Sequence, residues 1–137
     1  MDYHDLCKQA RKAKANAYAP YSKFRVGAAL LSDSGRVFPG NNVENSSYSL
    51  TVCAERVAVF TAVAEGERHF RAIAIASDDS GFTPPCGACR QVLFEMAGDI
   101  DVVMSNSKGE IEIVRLRSLL PEPFTPKHLR RSRKQRA

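Results

Sequence analysis

Between residues 3 and 17, Tyr3, Leu6, Cys7, Ala10, Ala13 and Ala17 recur at helical spacing, with Lys8, Arg11, Lys12 and Lys14 mostly opposite. This period predicts an amphipathic helix that ends in the residues before Pro20. Cys7 lies on the apolar face and reads as a small buried hydrophobe. From 24 to 32 the chain turns apolar, Ser32-Asp33-Ser34-Gly35 supplies a turn, and a second strand runs through Arg36 to about Val43. That pattern is a β-hairpin. Gly27 inside the first strand points to close approach by a neighbouring segment. Residues 52–65 read as a largely buried helix stopped at Gly66, and Arg71 to Ala76 as a short strand. A Gly/Pro-rich loop leads to a second helix from Gly87 to Ala97. Strands at 100–104 and 111–114 follow, joined by a turn, and a short helix at 116–120 precedes Pro121. The order helix, hairpin, helix, strand, helix, strand, strand predicts a three-layer α/β/α sandwich around one mixed five-stranded sheet.

The length of 137 residues, with 44% hydrophobic and 26% charged positions, suits one soluble domain with its own core. No apolar run approaches the roughly 20 residues needed to span a bilayer, so no membrane role is expected. The start, Met1-Asp2-Tyr3-His4-Asp5, is acidic where a secretory leader is basic and then apolar. An intracellular, cytoplasmic setting is therefore expected. The net charge of +5 suggests a nucleic-acid partner, but its location changes that view. Six Lys/Arg and no acid lie within 127–137, which leaves fourteen basic against fifteen acidic residues in 1–126. The expected organisation is one domain over 1–126 followed by a basic, disordered tail over 127–137.

Four cysteines in a reducing compartment point to a metal site or redox pair more than to structural disulfides. Cys53-Ala54-Glu55 and Pro85-Cys86-Gly87-Ala88-Cys89 both fall where a loop enters a predicted helix. Unpaired amide hydrogens and the helix dipole there favour thiolate over thiol. Cys86 and Cys89 share one helix face and can reach one ion, with Cys53 as a third ligand if the two helix starts converge. Three thiolates leave the fourth tetrahedral position of zinc open, the pattern of a catalytic site. Glu55 sits too close to Cys53 for a comfortable co-ligand. In a dry site beside zinc it suits general acid/base work better than service to the helix dipole.

Cys-x-Glu with Pro-Cys-x-x-Cys resembles the zinc-dependent nucleoside and nucleobase deaminases. Tyr18-Ala-Pro-Tyr-Ser-Lys-Phe-Arg-Val-Gly-Ala-Ala-Leu30 and Asn41-Asn-Val-Glu-Asn-Ser-Ser-Tyr48 narrow the likeness. With Cys53-Ala-Glu-Arg56 and Pro85-Cys-Gly-Ala-Cys-Arg-Gln91, the chain is similar over about residues 5–125 to small cytidine deaminases of the homotetrameric, three-cysteine type.

The resemblance implies that Cys53, Cys86 and Cys89 hold one Zn²⁺ per subunit. It gives Glu55 the proton of the zinc-bound water, delivery of that proton to pyrimidine N3, and later help to departing ammonia. It assigns the ribose hydroxyls to Asn42 and Glu44, the base or sugar to Phe24, and backbone contacts to the pyrimidine to Ala54 and the Pro85-Cys86 segment. Arg56 would donate to cysteine sulfurs and offset the −1 charge of three thiolates with Zn²⁺. Sites shared between subunits are implied, with Phe124 reaching into a neighbour and Tyr21 and Tyr48 serving pocket or interface. The expected activity is hydrolytic deamination of cytidine and 2′-deoxycytidine to uridine and 2′-deoxyuridine, in pyrimidine salvage. Two alternatives remain: a deaminase of a blasticidin S-type nucleoside antibiotic, and a non-enzymatic structural zinc module that binds RNA. Asn42-Val-Glu44 speaks against the first, and the lack of a fourth Cys or His in register against the second. A nucleic-acid substrate is not expected, because the body carries no basic excess.

Overall fold

The computed structural model describes residues 1–129. Five strands, β1 (Val26–Ser32), β2 (Val37–Asn41), β3 (Phe70–Ser77), β4 (Asp101–Ser105) and β5 (Ile111–Arg115), form one sheet in the order β2-β1-β3-β4-β5. The β3–β4 pair is parallel and the other pairs are antiparallel, so the sheet is mixed as expected. Helix α1 (Tyr3–Lys14) covers one face; α2 (Ala54–Ala64) and α3 (Gly87–Ala97) cover the other. A short α4 (Leu116–Leu119) follows β5.

The two faces differ in side-chain size. On β3, Ile73 and Ile75 point towards α2 and α3, with Leu30, Val59, Leu93, Val102 and Met104. Ala72, Ala74 and Ala76 point the other way, towards Leu6, Cys7 and Ala10 of α1. The Ile/Ala alternation is the two-residue period of a strand buried on both sides. Cys7 is buried in this second cluster.

Two glycines set the distance between layers. A Cβ at Gly27 would lie 2.0 Å from the Ala10 carbonyl oxygen and 2.4 Å from the Lys14 nitrogen. This is the close approach expected from the sequence. At Gly40 a Cβ would lie 2.4 Å from the Ala54 oxygen and 2.5 Å from the Ala58 nitrogen, so β2 bears directly on the first turns of α2. Pro39, which has no N–H to donate, is accommodated because β2 is an edge strand.

The differences from the expected elements lie at their ends. Helix α1 stops at Lys14 rather than 17, and its last turn carries Arg11, Lys12 and Lys14, which suit the negative end of the dipole. Residues 24 and 25 precede β1, and β2 ends at Asn41 instead of continuing to 43. Val43 leaves the sheet to bridge Tyr18 and Val52. Helix α2 starts at Ala54 because Cys53 is an extended cap residue. Residues 126–129 are helical, and most of the expected tail over 127–137 lies outside the described residues.

Gly27→Ala should lower the unfolding free energy by about 2–3 kcal/mol, because the α1 backbone at Ala10 and Lys14 has no room to yield. Gly81→Ala, where the nearest atom to a new Cβ is a side-chain oxygen 3.9 Å away, should change it far less. Urea denaturation of the two variants checks the contrast.

Candidate active site

Helices α2 and α3 begin side by side. Cys53 and Cys86 are their N-caps, both in extended conformation, and Cys89 lies in the first turn of α3. The three sulfurs lie within 4.8 Å of one another. Cys53 Sγ is 3.8 Å from Cys86 Sγ, which is 3.3 Å from Cys89 Sγ. A tetrahedral zinc with Zn–S bonds of about 2.3 Å needs sulfurs roughly 3.8 Å apart, so this donor set fits the ion with little adjustment. Among the described residues no fourth Cys, His or carboxylate joins the cluster.

Charge around the sulfurs is arranged for thiolates. A shared proton pulls Cys53 down to about 5, with the hydrogen bond from Cys89 the largest cause and Arg56 a further one. The same partnership pushes Cys89 up. Arg56 donates from Nη2 to Cys53 Sγ at 3.5 Å, and its Nε is buried without an oxygen or nitrogen partner. A guanidinium directed at sulfur in this way stabilises metal-bound thiolates.

Glu55 follows Cys53 by two residues and is 4% exposed. Burial is the main reason its carboxyl is raised to about 7, and the negative Cys53 adds to the effect. The carboxyl can therefore both take and give a proton near neutral pH.

These groups open onto a cleft of about 250 Å³ lined by Ser22, Phe24, Val26, Asn42, Glu44, Thr51, Cys53, Ala54, Glu55, Thr83, Pro84 and Cys86. At the end away from the sulfurs, Glu44 Oε1 accepts from the backbone N–H groups of Tyr21 (3.0 Å) and Ser22 (3.1 Å), and its Oε2 accepts from the Ser22 hydroxyl. Asn42 clamps the start of β1: its Oδ1 accepts from the Val26 N–H at 3.0 Å and its Nδ2 donates to the Phe24 carbonyl at 2.9 Å. One Nδ2 hydrogen and one lone pair remain for another partner.

The geometry brings together Cys53, Cys86, Cys89, Glu55, Ala54, Phe24, Asn42 and Glu44, with Arg56 behind the sulfurs. Phe124 is not in this cleft. It is 55% exposed at the far side of α3, its carbonyl accepting from Gln91 and its ring stacked on His128 at 5.2 Å. Tyr21 and Tyr48 pack edge to face at 6.1 Å in a groove of about 380 Å³ that shares Ser22, Glu44 and Thr51 with the cleft. Ser22, Thr51, Thr83 and Pro84 were not legible as lining residues, because small residues in loops carry no periodic signal.

A family model for the cytidine and deoxycytidylate deaminase zinc-binding region matches residues 1–106. The chain belongs to this family. A cytidine deaminase of Sporosarcina psychrophila is 48% identical over 130 residues, covering 94% of this chain and 96% of its own length. One from Mycobacterium tuberculosis H37Rv is 41% identical over 134 residues, 98% of each chain. The crystal structure of cytidine deaminase from Burkholderia pseudomallei superimposes with a TM-score of 0.88 at 47% identity, covering 90% of this chain and all of that one. Deaminase chemistry of this family is what a three-sulfur cluster beside a buried carboxyl can support.

Asn42→Ala should cost about 1–2 kcal/mol of stability, since it removes the partners of two backbone groups at the start of β1. A fall in the urea midpoint at unchanged slope is the expected result.

Proposed function

We propose that this protein is a zinc-dependent hydrolase that deaminates cytidine and 2′-deoxycytidine to uridine and 2′-deoxyuridine, with release of ammonia. The observation that carries the reading is the meeting of three sulfurs and one buried carboxyl at one end of a cleft that has a carboxylate and a carboxamide at the other. The reacting base and the sugar of a nucleoside need just such a pair of ends.

Cys53, Cys86 and Cys89 hold one Zn²⁺ per subunit. When bound, zinc supplies Lewis-acid activation of the water that attacks C4 of the pyrimidine. Glu55 takes a proton from that water and delivers it to N3. It then takes the proton of the new C4 hydroxyl and gives it to the amino group, so that the C4 carbonyl forms as the C4–N bond breaks and ammonia leaves. Arg56 offsets the charge on the sulfurs. Ala54 and the Pro85-Cys86 backbone hold the base edge, Phe24 packs against base or sugar, and Asn42 and Glu44 hold the ribose hydroxyls. The twelve residues that line the cleft include two carboxylates and no cation, which favours an uncharged nucleoside over a nucleotide or polynucleotide. The protein acts as a cytoplasmic homotetramer in pyrimidine salvage, and Phe124 completes the site of a neighbouring subunit. Its exposure and its distance from its own chain's cleft support that last assignment.

Addition of cytidine to the purified protein should lower the ultraviolet absorbance, whereas CMP and blasticidin S should leave it unchanged. No turnover of cytidine at full zinc occupancy would overturn the reading. Glu55→Gln should keep its zinc and lose at least about 10³-fold in kcat, while Cys86→Ala should lose the metal itself. Zinc content and rate measured on the same samples distinguish the two.

Subunits carrying Phe124→Ala and subunits carrying Glu55→Gln, each poorly active alone, should regain part of the activity when mixed and reassembled. Self-contained sites would give no recovery.

A further inference from the structure

Ser22 occupies a position that the chemistry at the sulfurs does not explain. Its hydroxyl donates to Glu44 Oε2 and at the same time accepts from the Phe24 N–H at 3.0 Å. Its own N–H and that of Tyr21 donate to the other oxygen of the same carboxylate. Glu44 therefore receives three hydrogen bonds from a two-residue segment that is 22 to 23 positions away in sequence. The turn that makes this convergence possible passes through Lys23 at φ 62°, the only non-glycine residue with positive φ among those described. A lysine in that conformation is unfavourable by itself, and the contacts on either side hold it there.

We infer that Ser22 is a positioning residue that sets substrate affinity by fixing the Glu44 carboxylate towards the sugar diol and coupling it to the Phe24 backbone. This inference rests on the reading of Glu44 as a ribose partner. A carboxylate that receives three donors is restricted in its rotation and stays ionised, and Glu44 is held below the usual carboxylate range with the Ser22 hydroxyl as the first cause. It keeps accepting capacity on its oxygens for a diol, because a carboxylate has about four lone-pair positions and three are used. Without the hydroxyl, the half-buried carboxylate keeps only the two backbone donors on Oε1, its Oε2 is free to swing, and binding of a diol must then order it. Nothing in this arrangement touches the sulfurs or Glu55, so the effect falls on binding of the sugar end and not on the chemical step.

Kinetics on two substrates, cytidine and 2′,3′-dideoxycytidine, test this, because the second lacks the hydroxyls that Glu44 and Asn42 would hold. Ser22→Ala should raise KM for cytidine about tenfold, with kcat within about twofold, and should leave KM for dideoxycytidine nearly unchanged. Ser22→Thr, which keeps a hydroxyl, should recover most of the loss. Glu44→Ala serves as the reference and should raise KM for cytidine far more than for dideoxycytidine. If Glu44→Ala shows that selectivity and Ser22→Ala does not, the role of Ser22 is overturned while the ribose assignment stands. If Glu44→Ala affects both substrates equally, the ribose assignment itself fails. Thermal melting within about 2 °C of the parent is expected for Ser22→Ala, and a large drop would make its role structural.

Discussion

Two helices that are far apart in sequence start at one point, and each starts on a cysteine. This convergence governs everything else at the site. An extended residue at the head of a helix lies beside unpaired N–H groups and the positive end of the dipole, where negative charge is favoured. Cys86 Sγ even accepts the Cys89 N–H at 3.5 Å, taking the place of an oxygen cap. Two such ends aimed at one volume gather three sulfurs without any long loop to hold them. The same packing buries Glu55 in the first turn of α2, and burial rather than any single neighbour raises its carboxyl to about 7.

The rest of the fold keeps those two helix heads in place. Gly40 lets the backbone of β2 lie against Ala54 and Ala58, so the start of α2 is seated on the sheet at contact distance. On the opposite face the alanines of β3 and Gly27 of β1 admit α1 just as closely. A sheet pressed from both sides in this way has little freedom to tilt, and interiors packed at crystal-like density transmit any displacement to their neighbours. The end of the cleft away from the sulfurs is built differently. There it is a web of side-chain and backbone hydrogen bonds through Ser22, Asn42 and Glu44, on segments that follow α1 and β2 rather than within regular elements.

The three sulfurs and the carboxyl beside them were legible in the sequence, because Cys53, Glu55, Cys86 and Cys89 stand at the starts of two predicted helices. So was the layer order, since the Ile/Ala alternation of β3 and the helical period of α1 each report burial directly. Element ends were less legible. The run up to Val43 reads as strand because Val43 is apolar and β-branched, yet the chain turns away after Asn41 to bridge Tyr18 and Val52, and only long-range pairing decides that. Ser22 carries no signal of its own, as a small polar residue in a loop looks alike whether it faces water or a carboxylate.

The sequence by itself determined the class of fold, the three sulfurs and the acid beside them, and the family to which the chain belongs. Periodicity and short motifs are local, and local patterns survive in one dimension. Only the tertiary structure decided that the two cysteine-capped helices meet, that Glu55 is dry enough to hold its proton near neutrality, and that Tyr21 and Ser22 converge on Glu44. Each of these depends on distances between segments 20 to 50 residues apart, which the packing of both faces of the sheet sets and no spacing along the chain records.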